Sequence, residues 1–171
     1  DRNLDTLPTQ LYVSVDAPNK EVFNEICRPK WNSAAWEKFE QTIDLLPSLD
    51  TRIVCRHTLI KGRNMNPEHI PQYAALDNRA DPDWIECKGY VHVGNSRENL
   101  TAENMPFHDD ILEFSNALSP LTGRKLLDDS PPSRVALVGK EIIPIPIPEA
   151  TMHFPDDLGI AESVKHLKIV Q

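Results

Sequence analysis

The sequence predicts an α/β fold in which parallel strands alternate with helices. Three segments, residues 10–16, 51–60 and 84–94, show the apolar and polar alternation and the β-branched residues of strands. Their starts lie about 30 to 40 residues apart, which is the length that a strand–helix–strand unit requires. Segments with helical periodicity fill the gaps, so we expect parallel strands joined by right-handed crossovers.

The three predicted strands are polar on one face. A parallel sheet covered by helices on both faces is almost wholly apolar, because both of its faces are buried. The polar face therefore predicts a wet, ligand-holding interior, and the alternative is a sheet with one solvated face. The side chains predicted to share this inner face are Ser14, Asp16, Arg56, Thr58, Glu86 and Lys88.

Capping residues and prolines place the helices between the strands. Asn19 and Ser33 are suitable N-caps for the first two helices, and Pro67 fits the first turn of the third. Asn104 and Pro106 mark the expected start of the fourth. The helices are predicted over residues 20–26, 33–46 and 67–80, and from 104 onward.

The last part of the chain is expected to differ from the repeating α/β pattern. Short strands are predicted at 125–127 and 133–138. The alternating prolines and isoleucines of 144–148 are typical of an extended, polyproline-like segment, and a short helix is expected near 159–167. Residues 1–139 are predicted to form one α/β domain, followed by a proline-rich extension over 140–171.

Composition excludes several classes of protein. The chain has 171 residues, 40% of them hydrophobic, which suits one soluble domain, and it shows no signal peptide and no apolar run long enough for a membrane helix. Three widely spaced cysteines favour a reducing, cytoplasmic setting over a disulfide framework. The net charge of −8 argues against nucleic-acid binding unless a local patch is positive. Because the first residue is Asp1 and not Met, a fragment of a longer protein is expected.

Lysines and histidines are the candidate reactive side chains. Lys61 and Lys88 lie at or beyond strand ends, where a Schiff-base enzyme would carry its lysine, although a buried lysine is more often paired with a carboxylate. The histidines form no metal-binding spacing. His57 falls on the apolar face and is predicted to lie in the core, whereas His92 and His108 are better functional candidates. No phosphate-binding glycine motif and no GxSxG nucleophile elbow occurs.

Several blocks of sequence, in order and at the right spacing, resemble the 4-demethylwyosine synthase family. They include LYVSVDAP, CRP, RHTLIKG, IECKGY and NMPFH, and the resemblance extends over about residues 8–139. The blocks lie at 11–18, 27–29, 56–62, 85–90, 92–97, 104–108 and 133–135.

The resemblance implies a radical S-adenosylmethionine enzyme of tRNA modification with a partial (β/α)6 barrel. Such enzymes join two carbons of pyruvate to N1-methylguanosine in phenylalanine tRNA, using a 4Fe–4S cluster held by CxxxCxxC. This sequence contains no CxxxCxxC motif. It therefore resembles the C-terminal half of the barrel, with the catalytic residues and cluster ligands expected upstream, and the chain alone is expected to be inactive.

The family resemblance also implies roles by position. The S-adenosylmethionine side would be lined by Ser14, Asp16, Arg56 and Thr58. The substrate or tRNA side would carry Lys61, Asn64, Glu86, Lys88, His92, Ser96, Arg97 and His108. A local basic patch would comprise Lys61, Arg63, Lys88 and Arg97.

Two other functions are compatible with the same residues. One is a non-catalytic remnant that binds tRNA or a protein partner, and the other is a Schiff-base aldolase that uses Lys61 or Lys88. The family resemblance implies phenylalanine tRNA and pyruvate as partners, together with either the missing N-terminal half or a second copy of the chain. No membrane partner is expected.

Overall fold

Five strands form one mixed sheet in the order β1-β2-β3-β5-β4 in the computed structural model, which describes residues 6–30 and 34–144. The strands are β1 Gln10–Ser14, β2 Arg52–Leu59, β3 Trp84–Gly89, β4 Lys125–Ser130 and β5 Val135–Gly139. The helices are α1 Lys20–Ile26, α2 Ala35–Leu45, α3 Ile70–Ala80 and α4 His108–Thr122. The mixed α/β class predicted from the sequence is confirmed, and none of these helices is long and apolar enough to cross a membrane.

The parallel pairing predicted for neighbouring strands holds only among β1, β2 and β3. β5 pairs antiparallel with β3, and β4 pairs antiparallel with β5, so the expectation of parallel strands is wrong at this edge. The reason is the connection between β4 and β5, a short turn over Pro131–Ser133 followed by Arg134 with a φ of 49°. A parallel pair needs a crossover of about a dozen residues or more, whereas a turn of this length closes a hairpin.

The predicted helix starts are confirmed at α1 and corrected at α4. Asn19 caps α1, because its Oδ1 accepts a hydrogen bond from the Val22 N–H at 3.0 Å. Asn104 instead ends a short turn before α4, where its side chain accepts from the Thr101 N–H at 2.9 Å. α4 begins after Phe107, whose N–H donates to the Asp110 carboxylate at 2.7 Å. The predicted cap at 33 and the elements predicted near 144–148 and 159–167 lie outside the described residues, apart from 144.

The hydrophobic core lies between one face of the sheet and the helices. Ile53, Cys55, Ile85 and Cys87 point to this side and are at most 4% exposed. They pack with buried residues of α3 and α4 and with Ile43 of α2. The alternation of β2 and β3 therefore leaves their polar side chains on the opposite face of the sheet.

His57 is a charged group inside this core. Its Nδ1 lies 2.8 Å from the carbonyl oxygen of Val15, and its Nε2 lies 3.0 Å from the Asp77 carboxylate. Both partners accept hydrogen bonds, so both ring nitrogens donate and the ring is an imidazolium. The Tyr73 ring packs edge-on against it at 4.6 Å between centroids. The sequence prediction that His57 is a satisfied core residue is confirmed.

The first residues of the C-terminal extension lie beside the N-terminal ends of β2 and β3. The Trp84 indole N–H donates to the Glu141 carbonyl at 2.9 Å, and Arg52 donates to the Pro144 carbonyl at 3.3 Å. The Arg52 guanidinium also lies 4.8 Å from the centre of the Trp84 ring. Residues 141–144 are thereby attached to β2 and β3.

We expect the free energy of unfolding to decrease as pH rises through the pKa of His57. Burial alone would lower that pKa, but the charge and hydrogen bond of Asp77 raise it above the ordinary value of 6.5. A raised folded-state pKa gives a stabilisation that is complete below about pH 6.5 and is lost as pH passes the folded-state value. Urea unfolding between about pH 6 and pH 9 measures this dependence.

The double variant His57→Leu/Asp77→Leu provides the control. It should remove the pH dependence at little net cost, whereas His57→Leu alone leaves a buried carboxylate unpaired and should cost about 3–5 kcal/mol. Equal stability at pH 6 and pH 9 in the unmodified chain would contradict a charged His57.

Candidate functional site

The C-terminal ends of β1 and β2 are held together by Asn64, which is fully buried. Its Oδ1 accepts from the Ile60 N–H at 2.7 Å, and its Nδ2 donates to the carbonyls of Asp16 and Thr58, both at 2.8 Å. Asp16 Oδ1 in turn accepts from the Thr58 N–H at 3.0 Å. Two residues predicted to line a site, Asp16 and Asn64, thus fix the backbone on which the following loop is built.

Arg56 lies at the centre of the polar sheet face. Its Nε lies 2.7 Å from Glu86 Oε1, and its guanidinium carbon lies 4.6 Å from the centre of the Tyr12 ring. Burial, together with the charge of Glu86, raises the pKa of the Tyr12 hydroxyl, so the phenol is neutral at physiological pH. The Arg56 side chain is 36% exposed and that of Glu86 is 13% exposed, so the pair is partly desolvated.

Three further predicted residues share this face. The strand register places Ser14 beside Arg56, and Lys88 beside Thr58. Lys88 forms no ion pair with a described residue, in contrast to Arg56. The face therefore combines a paired cation, Arg56, with a half-buried cation, Lys88, whose charge is available to a ligand.

Phe107 and Lys61 lie on the rim beyond the strand ends. Phe107 is 74% exposed, and Lys61 Nζ lies 5.6 Å from the centre of its ring. Lys61 Nζ also lies 3.2 Å from Asp110, whose carboxylate holds the Phe107 backbone N–H. The neighbouring His108 is paired with Asp129 of β4 at 2.7 Å. An aromatic ring is thus presented to solvent next to a cation.

The loop after β3 is organised by its own hydrogen bonds. The Tyr90 hydroxyl donates to Ser96 Oγ at 2.9 Å, and Ser96 Oγ donates to the Val93 carbonyl at 2.6 Å. Arg97 Nε donates to the His92 carbonyl at 3.1 Å. Three predicted residues, His92, Ser96 and Arg97, therefore lie in one ordered turn, and Arg97 is exposed.

A cleft of about 360 Å³ opens between the end of α1 and this loop. Three cations, Arg28, Lys30 and Arg63, line it with one carboxylate, Glu25, which lies 2.6 Å from Arg63 Nη1. Cys27 also lines it, and burial with the nearby Asp16 raises the pKa of that thiol to about 11. The other walls include Ile26, Ile60, Asn95, Ser96, Asn99 and Leu100.

The cysteines of this chain do not fit the 4Fe–4S cluster that the family resemblance implies. Cluster ligation requires several thiolates around one site. Cys55 and Cys87 are buried on the helix side of the sheet, and burial raises the pKa of both thiols, that of Cys87 to about 12. Within 6–30 and 34–144, no three His, Cys, Asp or Glu side chains are grouped as metal ligands.

Sequence reasoning did not identify Arg28, Lys30 and Phe107 as site residues. Arg28 and Lys30 follow α1 in a segment with no recognisable binding motif. The sequence predicts a fourth helix from 104 onward, which would include Phe107. Its position before the helix start explains its exposure.

Comparisons with known proteins identify related sequences. Residues 79–140 match the family model for wyosine base formation. The S-adenosyl-L-methionine-dependent tRNA 4-demethylwyosine synthase of Pyrococcus abyssi is 45% identical over 139 residues, covering 80% of this chain and 40% of the relative. That of Methanocaldococcus jannaschii is 41% identical over 134 residues, with 78% and 41% covered.

Solved structures give the same relationship. The structure of TYW1 with a lysine-pyruvate adduct bound superposes with a TM-score of 0.69 at 39% identity, covering 78% of this chain and 41% of that chain. The crystal structure of archaeal TYW1 gives a TM-score of 0.61 at 34% identity, with 78% and 40% covered. The chain thus spans about 40% of the length of these archaeal relatives and solved structures.

Replacing Asn64 by Asp is expected to lower the free energy of unfolding by about 3 kcal/mol, because a carboxylate oxygen would then face the Asp16 and Thr58 carbonyls without a proton to donate. Urea unfolding measures the loss. Asn66→Asp, in the same loop and only half-buried, is the control and should change stability by less than about 0.5 kcal/mol. Similar losses for the two variants would show that the Asn64 hydrogen bonds do not hold the strand ends.

Proposed function

We propose that this chain is a segment of a tRNA 4-demethylwyosine synthase of the wyosine base formation family, and that it forms the tRNA-facing part of that enzyme. The enzyme would condense carbons of pyruvate with N1-methylguanosine in phenylalanine tRNA to give 4-demethylwyosine. The observation that carries the proposal is the extent of the match, 45% identity over 139 residues with one synthase. The family model alone covers β3, the loop after it, α4 and the β4–β5 hairpin.

The polar sheet face is the proposed S-adenosylmethionine side of the site. Ser14, Arg56 and Thr58 lie on it or at its edge, and Asp16 holds the strand end from which it continues. Arg56 is already neutralised by Glu86 and covered by Tyr12. Its proposed contribution is therefore to hold a defined polar surface, while Lys88 is the cation that a bound anionic group would meet.

The rim beyond the strand ends is the proposed tRNA side. Single-stranded RNA is bound by exposed aromatic rings on which bases stack and by cations that meet phosphates. Phe107 offers such a ring, and the exposed Arg97 forms no ion pair with a described residue. Lys61 and Arg63 are paired with carboxylates, so the predicted basic patch is weaker than its four residues suggest.

Cluster and radical chemistry are assigned in this proposal to the part of the synthase that the chain does not match. That part comprises about 60% of the archaeal relatives. The described residues offer no set of cluster ligands. The chain alone is proposed to be inactive, and its proposed partners are tRNA, pyruvate and the rest of a partial (β/α)6 barrel, in the cytoplasm.

A chimera tests this function. The segment of the Pyrococcus abyssi synthase that matches this chain is replaced by the corresponding residues of this chain, and the product is measured by mass spectrometry of nucleosides. With N1-methylguanosine-containing tRNA, pyruvate and S-adenosylmethionine, we expect 4-demethylwyosine, because the match includes the sheet and the rim. The unmodified synthase is the positive control.

The outcome separates a synthase segment from a binding remnant. A folded chimera that has the same iron content as the parent and binds tRNA but forms no 4-demethylwyosine would overturn the proposed catalytic role. It would favour the non-catalytic remnant instead.

Phe107→Ala is expected to weaken binding of phenylalanine tRNA to the 171-residue chain by about tenfold, because stacking of one base is lost. Phe107→Trp should retain binding, since it keeps a ring at the same place. Fluorescence anisotropy with labelled tRNA measures both. Leu45→Ala, which removes a 54% exposed apolar side chain on α2, should have no effect, and an equal effect of both alanine variants would rule out stacking.

A further inference from the structure

The cleft beside α1 has the opposite charge to the chain as a whole. The chain carries a formal charge of −8, but the cleft is lined by three cations and one carboxylate. Glu25 is paired with Arg63, whereas Lys30 forms no ion pair with a described residue. Two positive charges, those of Arg28 and Lys30, are therefore left for an anion.

Arg28 is held in place at the lip of the cleft. Its φ of 48° is unusual for a side chain with a Cβ, and Pro29 follows it. Its Nε donates to the Glu25 carbonyl at 3.0 Å, which fixes the guanidinium while its two Nη groups form no hydrogen bond with a described residue. A residue kept in a sparsely populated conformation next to a cleft is a frequent feature of ligand sites.

The cleft is larger than an inorganic anion requires. Its volume of about 360 Å³ falls in the range of small-molecule sites. Ile26, Ile60 and Leu100 supply apolar walls, and the thiol of Cys27 is neutral beside them. Asn95 and Asn99 supply amide donors and acceptors. The cations match a phosphate, the apolar walls match a flat ring, and the amides match the polar edge of that ring.

We propose that this cleft binds one nucleotide of the RNA substrate, with its phosphate on Arg28 and Lys30 and its base between the apolar walls. The identification of the ligand as RNA rests on the proposed function. The nucleotide site itself rests on the lining of the cleft. The cleft and Phe107 would hold different nucleotides, because neither Phe107 nor Lys61 lines the cleft.

A salt titration of tRNA binding tests the phosphate contacts. Each phosphate neutralised on a single strand contributes about 0.7 to the slope of log K against log salt concentration, so the loss of the one phosphate held by Arg28 and Lys30 should reduce that slope by about 0.7. The test variant is Arg28→Asn/Lys30→Gln, in which asparagine tolerates the positive φ. The control, Lys38→Gln/Lys125→Gln, makes the same change of charge on α2 and β4 and should leave the slope nearly unchanged.

Competition by guanosine monophosphate locates the nucleotide. It should bind the unmodified chain at least tenfold more tightly than guanosine or inorganic phosphate does, and this advantage should disappear in Arg28→Asn/Lys30→Gln. Equal salt slopes in the test and control variants, or an unchanged advantage of the monophosphate, would overturn the proposal.

If the monophosphate binds at the cleft but tRNA does not bind the chain, the nucleotide site stands and the tRNA-facing role fails. If the chimera is active while the cleft variants behave like the control, the tRNA-facing role stands and the nucleotide site fails.

Discussion

The buried pair of His57 and Asp77 is the interaction on which the arrangement of sheet and helices depends. His57 belongs to β2, and its two ring nitrogens reach the Val15 carbonyl, directly after β1, and Asp77 of α3. A buried charge is tolerated only where both of its donors find partners. A shift of β2 by one residue would turn His57 out of the core and turn Arg56 into it. The pair therefore fixes the register that puts Arg56, Thr58 and their neighbours on the polar face.

Two kinds of side chain surround this framework. His57, Asp77, Asn64 and Asp16 are bonded within the protein and define where the strand ends and loops lie. The side chains that remain available form a second kind, on the sheet face, on the rim and in the cleft: Lys88, Arg97, Phe107, Arg28 and Lys30. The first kind supplies rigid support, which a site needs if its reactive or binding groups are to keep their geometry.

Sequence patterns predicted what depends on local periodicity. The two faces of β2 and β3, the α1 cap and the buried environment of His57 all follow from spacings of a few residues. The antiparallel β4–β5 edge was not predicted, because it depends on the length of one turn and on long-range pairing with β3. The role of Asn64 was not predicted either, because its hydrogen-bond partner Asp16 lies 48 positions away in the sequence. The exposure of Phe107 depended on a helix start that Pro106 and Asn104 indicated only approximately.

The net charge of the chain does not decide whether it can face RNA. Charges more than about 8 Å apart in exposed positions are largely screened at physiological ionic strength, so each surface responds to its own neighbours. On the helices, carboxylates such as Asp44 and Glu40 are neutralised locally by Arg79. At the cleft the one carboxylate is matched by Arg63, and the remaining charges are positive. An acidic chain can thus present a cationic site, and the electrostatic argument against nucleic-acid binding that composition suggests does not apply at the edge where the strands end.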